Sequence, residues 1–189
     1  KGYTNEILNG DIHTTNQRLA EIESRDQAKT FIYALLYGAG DAKLGSVVGR
    51  GRAVGKGLRQ RFFDNLPAFK KLTDRVQREA KSGFIKALDG RKLTVRSEHA
   101  ALNTLLQGAG SIVMKQALIV LNNKIAKHGY DAKFVANVHD EWQIECSIDD
   151  AVDVGKLGVL ALREAGCMFK LNCPLDGAYK VGENWSETH

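Results

Sequence analysis

The chain has 189 residues, 43% of them apolar and 26% charged, which is enough to bury a core in one or two domains and too apolar for a disordered segment. Its formal charge of +5 and pI near 9.1 suit a nucleic-acid partner without requiring one. No uninterrupted apolar run approaches the roughly 20 residues that cross a bilayer, no signal peptide opens the sequence, and Cys146, Cys167 and Cys173 lack the CxxC spacing of a zinc site or the even number of a disulfide framework.

A cytoplasmic protein with reduced thiols and no membrane partner is therefore expected. Lys1 is not a methionine and the chain opens inside an amphipathic pattern, so a fragment or processed half of a longer protein is expected too.

In chain order, Tyr3–Leu8 and Thr14–Ile22 read as short helices separated by Asn9-Gly10-Asp11, with Asp11 as N-cap and His13 at the start of the second. The next helix, Arg25 to Gly38, can be capped by Ser24 and closed by a left-handed residue within Gly38-Ala39-Gly40. Arg25, Lys29, Tyr33 and Tyr37 recur every four residues and form one stripe along it, while Phe31, Ile32, Leu35 and Leu36 take the other faces. Two cations followed by two rings suit a nucleoside triphosphate: the cations neutralise phosphate oxygens and an aromatic face stacks on a base or sugar. A solvated amphipathic helix with cations in register gives the same spacing.

Asp41–Val48 can form one or two helical turns. Gly49, Gly51, Gly55 and Gly57 then weaken helix propensity and permit close backbone approach, but the spacing is not that of a P-loop. Leu58–Leu66 and Pro67–Ser82 read as helices, the second with Lys70, Lys71, Arg75, Arg78 and Lys81 outward. Residues 50–96 carry fourteen Lys plus Arg against four Asp plus Glu, leaving the remainder net acidic, so the basic surface is local. It fits a solvated face or a nucleic-acid backbone contact.

Phe84–Leu88 and Lys92–Val95 alternate about Asp89-Gly90, a strong hairpin signal. A helical pattern runs from Asn103 to Lys127 with small residues after Gln107, where another backbone or a ligand can come near. Lys133–Val138 and Trp142–Cys146 read as strands joined at His139-Asp140-Glu141, a turn whose carboxylates project where a hard cation such as Mg²⁺ relieves their repulsion. An ordinary acidic hairpin tip has the same composition. Asp149–Glu164 reads as an amphipathic helix, Lys170–Leu175 and Ala178–Val181 as edge strands, with Trp185 and His189 near the end.

Arg25-x₃-Lys29-x₃-Tyr33-x₃-Tyr37-Gly38 resembles motif B, the fingers helix of polymerase I type (family A) DNA polymerases, and Val138-His139-Asp140-Glu141 resembles their motif C. Further matches at Asn9–His13, Asp89–Lys92 and Asn103–Gln107 extend the likeness over nearly the whole chain, nearest to the replicative polymerases of short-tailed phages. The resemblance implies an α+β, right-hand fold, incomplete here: helical fingers over 1–83 and part of an antiparallel-sheet palm over 84–189. It implies nucleotide binding by His13, Arg25, Lys29, Tyr33 and Tyr37, and DNA contacts by Asn103, Gln107 and His139. Asp140 and Glu141 take catalytic roles, with Asp140 as metal ligand.

Nothing in the sequence matches motif A, which carries the family's second metal-binding aspartate. The expected function is thus the C-terminal half of a DNA polymerase that adds dNTPs to a primer by two-metal phosphoryl transfer. Its expected ligands are primer-template DNA and Mg²⁺, and an N-terminal half supplies the second aspartate. A non-catalytic DNA-binding module and a single-subunit RNA polymerase fragment are the alternatives. A serine at position 141 and no aromatic at position 33 would mark the RNA polymerase.

Overall fold

A computed structural model describes residues 2–188 and folds into two compact units that divide between Leu106 and Gln107; His189, whose role the sequence leaves undecided, lies outside the described residues. The first unit opens with α1 (Gly2–Asn9), α2 (Ile12–Ala20) and α3 (Arg25–Leu36). Asp11 accepts from the His13 backbone N–H and Ser24 from that of Gln27, so both expected caps form. Gly38 follows α3 with φ 79°, where a side chain would meet the His99 carbonyl. Ala28, Phe31, Ile32 and Leu35 are buried on the inner face of α3. Burial of each large apolar side chain contributes about 1.5–3 kcal/mol, far more than surface charge pairs do, so the apolar face decides which edge is left to solvent.

Helices α4 (Asp41–Ser46) and α5 (Arg52–Asn65) complete that core, with Phe62 edge-on to Phe31 at 5.8 Å. The sequence places the start of α5 at Leu58; the helix begins six residues earlier, at Arg52, and carries Gly55 inside it. Gly55 is needed there because a Cβ would lie 1.9 Å from the Asp41 carbonyl oxygen and 2.5 Å from the Gly45 nitrogen. Close packing against α4 outweighs the roughly 1 kcal/mol that glycine costs a helix. Gly55→Ala is expected to lower stability by about 1–3 kcal/mol, the scale of an overpacked core, and thermal melting of the purified chain measures it.

Helix α6 (Pro67–Ala80) and the hairpin β1 (Phe84–Lys86) with β2 (Lys92–Thr94) share a second small core of Val76, Ala80, Ile85, Val95 and Ala101. These contacts keep the hairpin with the first unit, whereas the family resemblance sets the fingers boundary after residue 83. The long α7 (Ala101–His128) is one continuous helix despite its glycines. By length and composition alone the stretch 98–128 suffices to cross a bilayer, although 28% of its most apolar window is buried by the protein itself.

In the second unit Val120, Leu121 and Ile125 of α7 pack with Val154, Leu157 and Ala161 of α8 (Ala151–Met168). The sheet β3 (Ala132–Val138) and β4 (Glu141–Cys146) lays Phe134, Trp142 and Ile144 on that core. The expected strands 170–175 and 178–181 do not form; these residues run without ladder partners among the described residues. Their side chains dock on glycines of α8 instead: a Cβ at Gly155 would meet the Tyr179 ring at 2.3 Å, and one at Gly166 would meet Leu175 at 3.1 Å. The last element among the described residues is a single turn, α9 (Trp185–Thr188).

Candidate functional site

The first set of residues lies on α2 and α3. Arg25, Lys29, Tyr33 and Tyr37 are all exposed, Tyr33 at 46% and Tyr37 at 57%, along the edge opposite the buried face of α3. An exposed row of two rings on an otherwise well-packed helix is surface that folding does not need. His13, at the start of α2, approaches Tyr33 with ring centroids 6.2 Å apart, and its Nδ1 is buried without a hydrogen-bond partner among the described residues.

Arg25 grips Asp11 with two hydrogen bonds, Nε to Oδ2 at 2.6 Å and Nη2 to Oδ1 at 3.1 Å. The Thr14 hydroxyl adds a third to Asp11 at 2.8 Å. The Arg25 guanidinium first, and the Thr14 hydroxyl after it, hold the Asp11 carboxyl well below the usual carboxylate range. Asp11 therefore has two tasks, capping α2 and aiming Arg25, and only the first was legible as an N-cap pattern. Among the described residues no carboxylate pairs with Lys29.

The second set lies at the β3–β4 turn. Val138 pairs with Glu141, so His139 and Asp140 alone make the connection. His139 has φ 53° and Asp140 shows no positive φ, the φ signature of a type II′ turn, which ordinarily places glycine at that first position. A histidine held there stores backbone strain. A register shift between Phe134 and Ala136 leaves Val135 as the extra residue of a bulge that sets the pairing next to the turn.

Asp140 is exposed, whereas Glu141 is half-buried and hydrogen-bonded: its Oε1 accepts from the Gln143 amide and from the Trp185 indole N–H at 3.2 Å. The Trp185 partner could not be found from the sequence, because it lies 44 residues from Glu141. Among the described residues no group of three or more His, Cys, Asp or Glu could hold a metal ion. Asp140 offers the oxygen donor that a hard divalent cation takes, but the described residues do not complete a site around it.

Asn103 and Gln107 stand one turn apart on α7, half-buried and exposed respectively, and a Cβ at nearby Gly110 would meet nothing within 4 Å. On α6 the basic residues are partly paired along the helix, Lys70 with Asp74 at 2.6 Å and Arg75 with Glu79 at 3.9 Å, while Lys71, Arg78 and Lys81 face solvent.

The family model for DNA polymerase family A matches residues 6–187. The DNA-directed DNA polymerases of Enterobacteria phage T3 and Escherichia phage T7 are each 44% identical over 99% of this chain. DNA polymerase I of Aquifex aeolicus is 33% identical over 87% of it. The chain spans only 30% of the length of each of these relatives. Among solved structures, the POL domain of Pol1 from M. smegmatis, in complex with DNA primer-template and dNTP, shares the fold with a TM-score of 0.76 at 22% identity, over 87% of this chain and 33% of that one.

Proposed function

The chain belongs to DNA polymerase family A, and from that premise we propose that it is the C-terminal half of a template-directed DNA polymerase, which extends a primer 3′ end with dNTPs. The observation that carries this reading is the exposed edge of α3, two cations and then two rings above a buried apolar face. Primer-template DNA and dNTP as ligands draw support from those bound to the M. smegmatis neighbour, and the host cytoplasm as location from the phage relatives.

In this reading Lys29 and Arg25 neutralise the triphosphate, Arg25 from the position Asp11 gives it, and His13 meets the phosphates from the other side. Tyr33 stacks at the nascent base pair, with Tyr37 beyond it. Gln107 and Asn103 contact the minor groove, where every base pair offers an acceptor and an amide can check pairing without reading sequence. His139 approaches the primer backbone, and Glu141 supports the carboxylate of Asp140 or the primer end.

Asp140 would hold Mg²⁺ together with an aspartate from an N-terminal half that also supplies the thumb. A divalent ion held there would supply charge stabilisation for phosphoryl transfer, and Asp140 would contribute a hard oxygen donor to it. Fingers over 1–83 and palm over 84–189 is the corresponding division of labour, and α7 is the scaffold helix that carries the minor-groove residues.

The test is primer extension by the chain mixed with an N-terminal half bearing motif A. Extension with dNTPs and Mg²⁺ by the mixture, and by neither half alone, is expected. A folded complex that binds DNA without extending it would leave a binding module, and preferential ribonucleotide incorporation would make the chain part of an RNA polymerase. In the active mixture Lys29→Ala is expected to lower kcat/KM for dNTP about a hundredfold, the scale of one preorganised group facing transition-state charge. Single-nucleotide incorporation kinetics measure it.

A further inference from the structure

The Glu141 carboxylate stands next to Asp140 in the chain, and two adjacent carboxylates repel one another unless their charge is compensated. Glu141 is held by the protein itself. Gln143, two residues along β4 and so on the same face, donates its amide N–H to Glu141 Oε1, and the Trp185 indole donates to the same oxygen at 3.2 Å. Gln143 Oε1 lies 3.2 Å from the Thr188 hydroxyl, whose single proton it shares with the Trp185 carbonyl at 3.2 Å, and its amide nitrogen is turned toward Glu141.

The turn that delivers Trp185 and Thr188 is itself tied. Asn184 accepts from the Ser186 backbone N–H at 3.1 Å, and Glu187 accepts from the Glu183 backbone N–H at 2.9 Å and the Asn184 amide at 2.8 Å. Gly182 leaves room for this, since a Cβ there would lie 2.7 Å from that of Glu187.

We propose that Trp185 is a positioning residue for Glu141: the closing turn of the chain and Gln143 fix one oxygen of the Glu141 carboxylate toward the protein, leaving the exposed carboxylate of Asp140 to the cation. The proposal rests on the polymerase reading above. Its physical content is that a charge-assisted hydrogen bond to an indole fixes the carboxylate's orientation and spreads its charge, so that Glu141 neither swings toward Asp140 nor competes with it.

The experiment compares Trp185→Phe, Glu141→Gln and the double variant in the polymerase completed with its N-terminal half. Phenylalanine keeps an aromatic ring and removes the N–H donor together with part of the indole's volume, so the comparison with the Glu141→Gln background isolates the hydrogen bond. Trp185→Phe is expected to lower kcat about tenfold, equivalent to about 1.4 kcal/mol, with the KM for dNTP unchanged and no further loss when added to Glu141→Gln. In the ¹⁵N-labelled 189-residue chain, Glu141→Ala is expected to shift the indole N–H signal of Trp185 upfield and speed its exchange with solvent.

An unchanged indole signal overturns the proposal. So does a Trp185→Phe enzyme as active as its parent, or a loss of equal size in the Glu141→Gln background, which would make Trp185 a packing residue only. In each of those cases primer extension by the parental mixture that is lost in Asp140→Asn leaves the polymerase reading standing, whereas a folded parental mixture that extends no primer removes that reading itself.

Discussion

Asp140→Asn is expected to reduce single-turnover nucleotide incorporation by about a thousandfold or more while leaving primer-template affinity nearly unchanged. Asparagine is isosteric with aspartate, and Asp140 is exposed in a two-residue connection, so the substitution creates no cavity and breaks no packing. What it removes is a negative charge and a hard oxygen donor. Losing one preorganised electrostatic group costs about 10²–10³ in rate. A residue that holds a divalent ion controls a larger charge than any single hydrogen-bond donor, which puts the expected loss at or beyond the upper end. Aspartate and asparagine suit turn positions equally well, so backbone geometry at the turn is not expected to be the variable. Incorporation above a tenth of the parental rate would take the metal-ligand role away from Asp140, and DNA binding measured in the same samples separates a chemical defect from a lost complex.

The parts of the molecule that were legible in the sequence are those in which local and tertiary demands agree. α3 is one: its period-four polar stripe, its Ser24 cap and the left-handed Gly38 point to one helix with one buried face, and the structure buries that face. The β3–β4 hairpin is another in outline, since alternation flanks an acidic turn, but its register was not legible: the connection has two residues rather than the expected three, with Glu141 paired in β4, and the bulge at Val135 shifts the pairing. The N-terminal part of α5 was not legible, since its glycines lower helix propensity and only contact with α4 explains why a helix forms there. Residues 170–181 alternate like strands, yet each needs a ladder partner to become one, and side-chain docking on the glycines of α8 takes its place.

The same distinction applies to the candidate site. Residue types at fixed spacing nominate Arg25, Lys29 and Tyr33, but the partners that aim the charged groups carry no such signature. Asp11 reaches Arg25 across 14 residues and Trp185 reaches Glu141 across 44. A capping aspartate and a lone tryptophan are common enough locally that neither announces a second role.

Tyr33→Phe is expected to change sugar discrimination on a similar scale, about a thousandfold, with little effect on ordinary extension. Tyr33 is 46% exposed on the open edge of α3 and turns its ring toward His13, so the phenolic oxygen can be deleted without disturbing the buried face. Where family A enzymes carry tyrosine here, the resemblance implies that dideoxynucleotides are accepted as chain terminators. The physical reason is that a hydroxyl on the protein can fill the place and the hydrogen bonds that a missing 3′-hydroxyl leaves empty. With phenylalanine the substrate must bring that hydroxyl itself; a dideoxynucleotide then leaves polar groups unpaired in a closed site, a penalty that reaches 10⁴–10⁵ where a pocket is built around one hydroxyl and is about 10² where it is not. The measurement is the ratio of kcat/KM for dideoxy- and deoxynucleotides in parent and variant. A ratio that does not move would detach Tyr33 from the sugar and, with it, the assignment of α3 as the nucleotide helix.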